Sequence, residues 1–357
     1  MLGDVKSNTS RLNEWLMRSL IGSLMLLAFK IVISFGSPAL VALCLLVQLI
    51  CFREVDNIGR SFCRCGANRS SLFSFYFLFV ADYFYLFDLF IADSTPFLML
   101  LSQHRRLISL ALYSLGILAY SKWFARPRDD QLAYLAYIHL EVLVALQVAS
   151  SIRATLVAPI WFIMPVSMTV CNDIMAYVFG VLIGRTRLIE VSPKKTREGF
   201  LCSALFTIMI GQILAYKVSS VDSMLCYQQC HQTNLLFQLK QYSIFNSTFN
   251  FYPFQLHAAL FSLFVSLIGP FGGFFASGFK RSFGLKDFSS SLPGHGGFMD
   301  RIDCIPLVMS FVVAYMDTFL LSTAPYDLFH DFVRLDENDK QMLLHLINSS
   351  RIKLKIK

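Results

Sequence analysis

Long apolar runs separated by short polar stretches cover most of the chain, at residues 19 to 35, 38 to 52, 72 to 92, 107 to 121, 132 to 150, 154 to 171, 200 to 216, 257 to 279 and 304 to 322. Several approach the ~20 residues with which a helix crosses the hydrocarbon of a bilayer. Lipid admits only helices and closed barrels, because every backbone polar group must be satisfied internally, and these runs are far longer than ~10-residue alternating barrel strands. The pattern therefore predicts an all-α, polytopic integral membrane protein with nine or ten transmembrane or half-membrane helices in one domain. The first two runs are separated by Gly36-Ser37-Pro38, which reads as a tight helical hairpin. Residues 173 to 184 are apolar but too short to cross, so they read as a half-helix or a continuation of the preceding span. Around the membrane domain at 19 to 335, residues 1 to 18 are expected as a cytosolic segment and 336 to 357 as a polar tail.

Composition agrees with this pattern. Charged residues are 15% of the chain, against about 25% in soluble domains, and 35 Phe make the interior aromatic. The net charge of +8 is concentrated in the little sequence left outside the hydrocarbon. Such loops fit a positive-inside bias, anionic lipid heads or nucleotide phosphates. Nine Cys, an odd number and several within apolar runs, argue against a disulfide scaffold. Cys63-Arg-Cys65 and Cys226-Tyr-Gln-Gln-Cys230-His231 lack the paired short spacing of a zinc site. Ionisable groups inside the runs include Lys30, Asp82, Asp88, Glu141, Asp173 and Asp317, and such groups usually face a bundle interior or wet cavity. Lys30 is expected to snorkel. Glu141 and Asp173 fit either a polar cavity or a buried helix-to-helix hydrogen bond. Of the Asn-x-Ser/Thr triplets, only that at Asn246, in the polar stretch 218 to 256, is a plausible glycosylation acceptor.

Chemistry concentrates in two polar segments, 172 to 200 and 277 to 303. In the first, Ser192-Pro193 reads as a helix N-cap and first helical residue, which puts Lys194, Lys195 and Arg197 in the opening turns. Cations there oppose the helix dipole, which makes sense if an anion binds at that terminus; the alternative is an ordinary cytoplasmic basic loop. In the second, Lys280, Arg281 and Lys286 supply positive charge, while Asp287, Asp300 and Asp303 supply the hard oxygens that magnesium prefers. Pro293-Gly294-His295-Gly296-Gly297 is a loop that a ligand can approach closely. If a helix starts near Met299, Asp300 and Asp303 share a face and can address one metal centre. His295 fits a proton shuttle, a phosphate contact or a turn residue, of which the phosphate contact is favoured.

With these residues in place, the chain resembles the phosphatidate cytidylyltransferase family, also called CDP-diacylglycerol synthase, in its eukaryotic branch. The family pattern S-x-x-K-R-x4-K-D-x-S-x3-P-G-H-G-G-x-x-D-R-x-D is matched from Ser277 through Asp303. The upstream block is similar too, with Asp173, Ala176-Tyr177, Gly180, Gly184, Ser192-Pro193-Lys194-Lys195-Thr196 and Glu198-Gly199. Departures are Gly273, where bacterial members carry an Asp expected to ligate metal, Arg197 in place of the usual Trp, and Cys202-Ser203 in place of Gly-Gly.

The resemblance implies transfer of a cytidylyl group from CTP to phosphatidic acid, giving CDP-diacylglycerol and pyrophosphate. It implies a catalytic set of Lys280, Arg281, Lys286, Asp287, His295, Asp300, Arg301 and Asp303. Substrate phosphates would be bound by Asn172, Ser192, Lys194, Lys195, Thr196, Glu198, Ser277, Gly296 and Gly297, and Mg2+ by Asp300 with Asp303 or Asp173. It further implies membrane lipids as surroundings, no nucleic-acid partner, a homodimer, and a multi-pass protein of the endoplasmic reticulum with its site facing the cytosol. The tail Lys353-Leu-Lys355-Ile-Lys357 looks like a cytosolic dilysine retrieval signal, whereas counting one span after Asp303 leaves that end lumenal. Two rivals remain. A CTP-dependent lipid kinase is disfavoured by the GHGGxxDRxD stretch, and a lipid transporter or scramblase has no need of the clustered KR, KD and DRxD groups.

Overall fold

The computed structural model describes residues 17, 20–62, 67–90, 96–123, 130–189, 192–225, 236–244, 247–292, 296–321, 337 and 339–342. The chain divides into a unit ending at Val312 and a second one from Val313 onward. The first begins with α1 (Leu20–Ser34), α2 (Ser37–Phe62), α3 (Ala67–Phe90), α4 (Pro96–Gln103), α5 (Arg105–Trp123), α6 (Asp130–Val157) and α7 (Ile160–Leu182). A hairpin of β1 (Arg187–Ile189) and β2 (Ser192–Thr196) then leads into α8 (Arg197–Val218) and the short α9 (Asp222–Leu225). A second hairpin, β3 (Lys240–Ile244) with β4 (Ser247–Phe251), precedes α10 (Phe254–Leu267), α11 (Pro270–Ser282), α12 (Met299–Ile302) and α13 (Ile305–Tyr315). The second unit carries a π-helical turn, Met316–Leu321, where Tyr315 packs on Phe319 at 5.0 Å between ring centroids.

Among the described residues, five stretches are long and apolar enough to cross a membrane, within α2, α6, α7 and α8 and over Phe254–Ser282, which comprises α10 and α11, and four shorter apolar helices accompany them. Exposed leucines such as Leu182, Leu201 and Leu205 face outward, as they do where the solvent is lipid and not water. The protein is a multi-pass membrane protein. Glycine decides the first turn: Gly36, with φ +80°, takes the left-handed conformation that lets α1 fold back into α2. Pro159 ends α6, since the residue before a proline is pushed out of the helical region. The run 257 to 279 is one stretch of sequence but two helices, because Pro270 has no N–H to continue the ladder of α10.

Residues 173 to 184 do not form a separate half-helix, for α7 runs unbroken from Ile160 to Leu182. Two hairpins also interrupt the all-α expectation, one of them within the polar stretch 218 to 256; Asn246 lies outside the described residues. Charged groups inside the bundle find partners on neighbouring helices. Gln48 Nε2 of α2 donates to Asp82 Oδ1 of α3 at 2.7 Å, and Ser74 Oγ of α3 donates to Glu141 Oε1 of α6. Glu141 thus takes the helix-to-helix alternative. Such a bond contributes about 0.6 kcal/mol on average, against about 2.5–3.5 kcal/mol for placing an Asp mid-membrane, so these pairs specify which helices meet more than they stabilise. Lys30 is exposed, and the side chain of Asp88 lies outside the described residues.

Candidate active site

The site is assembled from the exit of α7, the β1–β2 hairpin, the end of α11 and the turn around α12. Ser192 to Thr196 form strand β2, antiparallel to β1 with Arg187 opposite Thr196 and Ile189 opposite Ser192. Pro193 is tolerated there because a two-stranded ribbon is all edge. Ser192 therefore is not the helix cap, contrary to expectation. Thr196 is: its backbone is extended, φ −114° and ψ 153°, and its Oγ1 accepts from Gly199 N at 3.2 Å. Lys194 and Lys195 precede the helix, so of the three cations expected in its opening turns only Arg197 stands there, which weakens the dipole argument for an anion at that terminus. Gly199 is required by packing, since a Cβ there would lie 2.8 Å from Ala176 O of α7.

Glu198, expected among phosphate-binding residues, holds backbone instead. Its carboxylate accepts from Arg185 N at 3.0 Å, Thr186 N at 3.1 Å and Thr186 Oγ1 at 2.8 Å, tying the α7 exit to α8. Asn172 is buried and accepts from Thr207 Oγ1 at 3.3 Å, so it belongs to the α7–α8 interface. Lys195 points the other way. Its Nζ stands 4.8 Å from the ring centroid of Phe274 on α11, one turn before the second polar segment.

On the α11 side, Lys280 is only 7% exposed and its Nζ meets Asp300 Oδ1 at 2.5 Å. Asp300 Oδ2 accepts from Phe288 N and Gly297 N, each at 2.9 Å. A second carboxylate arrives from α2. Glu54, 4% exposed, accepts from Ser289 Oγ at 2.6 Å and Phe298 N at 3.0 Å through Oε1, and from Met299 N at 2.9 Å through Oε2. Gly296 N bonds Leu292 O at 3.1 Å. Four consecutive N–H groups, 296 to 299, are thus satisfied within the protein, so Gly296 and Gly297 do not offer backbone donors to a phosphate. Their lack of a side chain serves shape: Gly296 has φ +84°, and a Cβ on Gly297 would lie 2.6 Å from Glu54 Oε2. His295 lies outside the described residues.

Asp303, three residues beyond Asp300, faces other partners. Cys304 Sγ donates to its Oδ1 at 3.4 Å, and a Cβ on Gly273 would fall 3.4 Å from the same oxygen. Asp173 of α7 lies within its electrostatic reach, with Lys195 and Lys280 opposing. Burial first, and then the Asp173 carboxylate, push the Asp303 carboxyl up to about 6. The same burial and carboxylates push the Cys304 thiol up, keeping it a protonated donor. Asp173 in turn feels Lys195 and Arg301. Among the described residues, no direct ion pair is made by Asp173, Asp303 or Lys195.

Asp300 and Asp303 thus have different partners: both oxygens of Asp300 are engaged, Oδ1 by Lys280 and Oδ2 by two N–H groups, while Cys304 Sγ is the donor to Asp303. Of the remaining expected residues, Ser277 is half-buried on α11, Arg281 is exposed and donates to Leu285 O at 2.7 Å, and Lys286, Asp287 and Arg301 are exposed. The side chain of Lys194 lies outside the described residues. Glu54 and Cys304 were not expected. The available signal for Glu54 was Arg53-Glu54-Val55-Asp56 directly after the apolar run 38 to 52, where α2 continues as a helix beyond its apolar part.

Comparison with known proteins bears on the whole of this arrangement. The model of the Cytidylyltransferase family matches residues 16–319. Phosphatidate cytidylyltransferase 2 of Homo sapiens is 36% identical over 372 residues, spanning 96% of this chain and 82% of that protein. Phosphatidate cytidylyltransferase 1 of Rattus norvegicus is 36% identical over 346 residues, 89% of this chain and 75% of that protein. Phosphatidate cytidylyltransferase of Caenorhabditis elegans is 34% identical over 371 residues, 95% of this chain and 79% of that protein. Identity at this level across nearly the full length, with both polar segments inside the match, means that the chain belongs to the cytidylyltransferase family.

Proposed function

We propose that this protein transfers the cytidylyl group of CTP to phosphatidic acid, forming CDP-diacylglycerol and releasing pyrophosphate for phospholipid synthesis. The observation that carries this reading is that Asp173 of the first polar segment and Asp303 of the second act on each other electrostatically and, among the described residues, make no direct ion pair, with Lys195 of the first segment acting on both. Two like charges left in this way are costly unless a cation joins them. Their hard oxygens fit Mg2+, which takes one or two protein carboxylates and completes its shell with substrate phosphates and water. The absence of any cluster of three or more acidic, His or Cys ligands among the described residues is consistent with that division. Asp173 and Asp303 would hold the ion, and when bound it supplies positive charge against the triphosphate.

The protein's own residues do the rest. Lys195, with Arg301 nearby, neutralises the two anions that must approach each other, the lipid phosphate and the nucleotide. The lipid phosphate is already an anionic nucleophile and attacks the α-phosphorus in line, so no general base is required. Lys280 contributes through space while its ammonium stays on Asp300. Exposed Arg185, Arg187, Arg197, Arg281, Lys286 and Arg301 all belong to the two polar segments between apolar helices, which supports a cytosolic orientation by the positive-inside bias, in the endoplasmic reticulum membrane as the resemblance implies.

The test is to supply purified protein with phosphatidic acid, magnesium and CTP labelled at either the α- or the γ-phosphorus. Label from the α-position should enter the lipid and label from the γ-position should leave as pyrophosphate. Lipid carrying γ-label would establish a kinase instead.

A further inference from the structure

We infer that Glu54 is a positioning residue of the site, a carboxylate on α2 that holds the α12 turn at whose end Asp303 stands. The geometry is local and complete. Glu54 lies 235 residues from Ser289 and 245 from Met299 in sequence, yet it receives the Ser289 hydroxyl and the amides of Phe298 and Met299 at 2.6, 3.0 and 2.9 Å. Those amides open α12, whose C-cap is Asp303. One buried carboxylate thus sets the start of a one-turn helix that has Asp303 at its end. A helix of this length does not hold its own position, because the cost of nucleation is not recovered in one turn. It needs an external partner, and Glu54 is that partner, charge-assisted at each bond. The absence of a side chain at Gly297 is part of the same device, for any Cβ there would strike Glu54 Oε2.

Asp300 braces the turn from the other side through Phe288 N and Gly297 N. Glu54 and Asp300 therefore hold alternate faces of one turn, with the charge of Lys280 balancing the latter. Glu54 touches no reacting atom in this arrangement. Its effect passes through the placement of Asp303, and a displacement near 1 Å there lowers turnover about a hundredfold.

The inference rests on the transfer reaction for its kinetic consequence, but its structural part can be read separately. Glu54→Gln, Glu54→Asp and Ser289→Ala are purified in detergent beside the wild type. In Glu54→Gln one acceptor becomes an NH2 facing an N–H, and kcat should fall at least about tenfold while KM for CTP and phosphatidic acid stays within about twofold. Glu54→Asp keeps the charge and should recover part of kcat, and Ser289→Ala, which removes one of three donors, should lose only a few-fold. Hydrogen exchange supplies the readout that needs no activity: the amides of 298 and 299 should exchange faster in Glu54→Gln, with α7 and α8 unchanged. A kcat within twofold of wild type, or unchanged exchange at 298 and 299, would overturn the assignment. If the wild type produced no CDP-diacylglycerol, the reaction reading would fail, and the exchange result would still decide whether Glu54 holds the turn.

Discussion

Asp300 and Asp303 stand one helical turn apart in the same DRxD stretch, yet the two regions they serve differ in kind. Around Asp300, donors and acceptors balance: Lys280, Phe288 N and Gly297 N fill its carboxylate while Glu54 fills the amides that follow. Around Asp303, charges are near one another without a direct ion pair among the described residues, and the carboxyl is pushed up to about 6. The first region is a clasp and the second is held open. A closed polar network rigidifies its surroundings, and a site that is to take the anion and cation proposed above needs groups that are not already paired. The difference teaches that acidity alone does not identify a metal ligand; what matters is whether other donors already occupy its oxygens.

The strongest way to break this comparison is Asp303→Asn. Turnover should fall by about a thousandfold or more, the scale expected when charge placement at a phosphoryl centre is lost, while the thermal midpoint of the metal-free protein stays level or rises because one of two repelling carboxylates is gone. Transfer of α-label into lipid and a thermal shift in detergent give the two readouts. A variant with wild-type turnover would remove Asp303 from the site.

Asp300→Asn should cost about a hundredfold in turnover but, unlike the first variant, also stability. Removing one partner of a buried ion pair costs about 3–5 kcal/mol, because Lys280 is left charged and buried. Replacing both partners together, Asp300→Asn with Lys280→Met, removes the unpaired ammonium while keeping an acceptor for Phe288 N and Gly297 N, and should recover part of that stability without recovering activity. Recovery of both would show that the clasp matters only for folding.

A smaller effect sharpens the electrostatic side. In metal-free protein burial pushes the Asp303 carboxyl up to about 6, above its ordinary value near 3.9 when unfolded. Between those values the folded state binds more protons, so stability is greatest below about 4 and is lost as pH rises through about 6. Thermal midpoints measured from pH 5 to 7.5 in chelator should fall by a few degrees on this account, and the fall should be absent in Asp303→Asn. The smallest effect tests the other arm. Thr196→Ala removes the N-cap of α8 and should cost about 1 kcal/mol, whereas Ser192→Ala should remove no cap at all.

Much of the bundle was legible because membrane helices announce themselves by length and hydropathy: each expected apolar run has a helix at its place. What periodicity missed has identifiable causes. Residues 173 to 184 left a half-helix and a continuation of the preceding span both open, because Asn172 and Asp173 interrupt the apolar pattern, and the structure takes the continuation, with α7 running through both residues. Ser192-Pro193 carries a helix-start signal, but strand pairing with Arg187 to Ile189 provides those backbone groups with partners, and Thr196 four residues later caps equally well.

Sequence by itself determined that this is a membrane-embedded protein, that its polar chemistry lies in two segments, and, through the long motif from Ser277 to Asp303, which family those segments resemble. These properties depend on composition and order, which burial does not alter. Tertiary structure alone decided what each charged group does. It joined Lys195 to Phe274, drew Glu54 from α2 onto the amides of 298 and 299, and divided two acids of one motif between a clasp and an open pair. The physical reason is that hydrogen bonds and charge interactions act over a few ångströms of space, and the partners that fix the role of a carboxylate here stand up to 245 residues away along the chain.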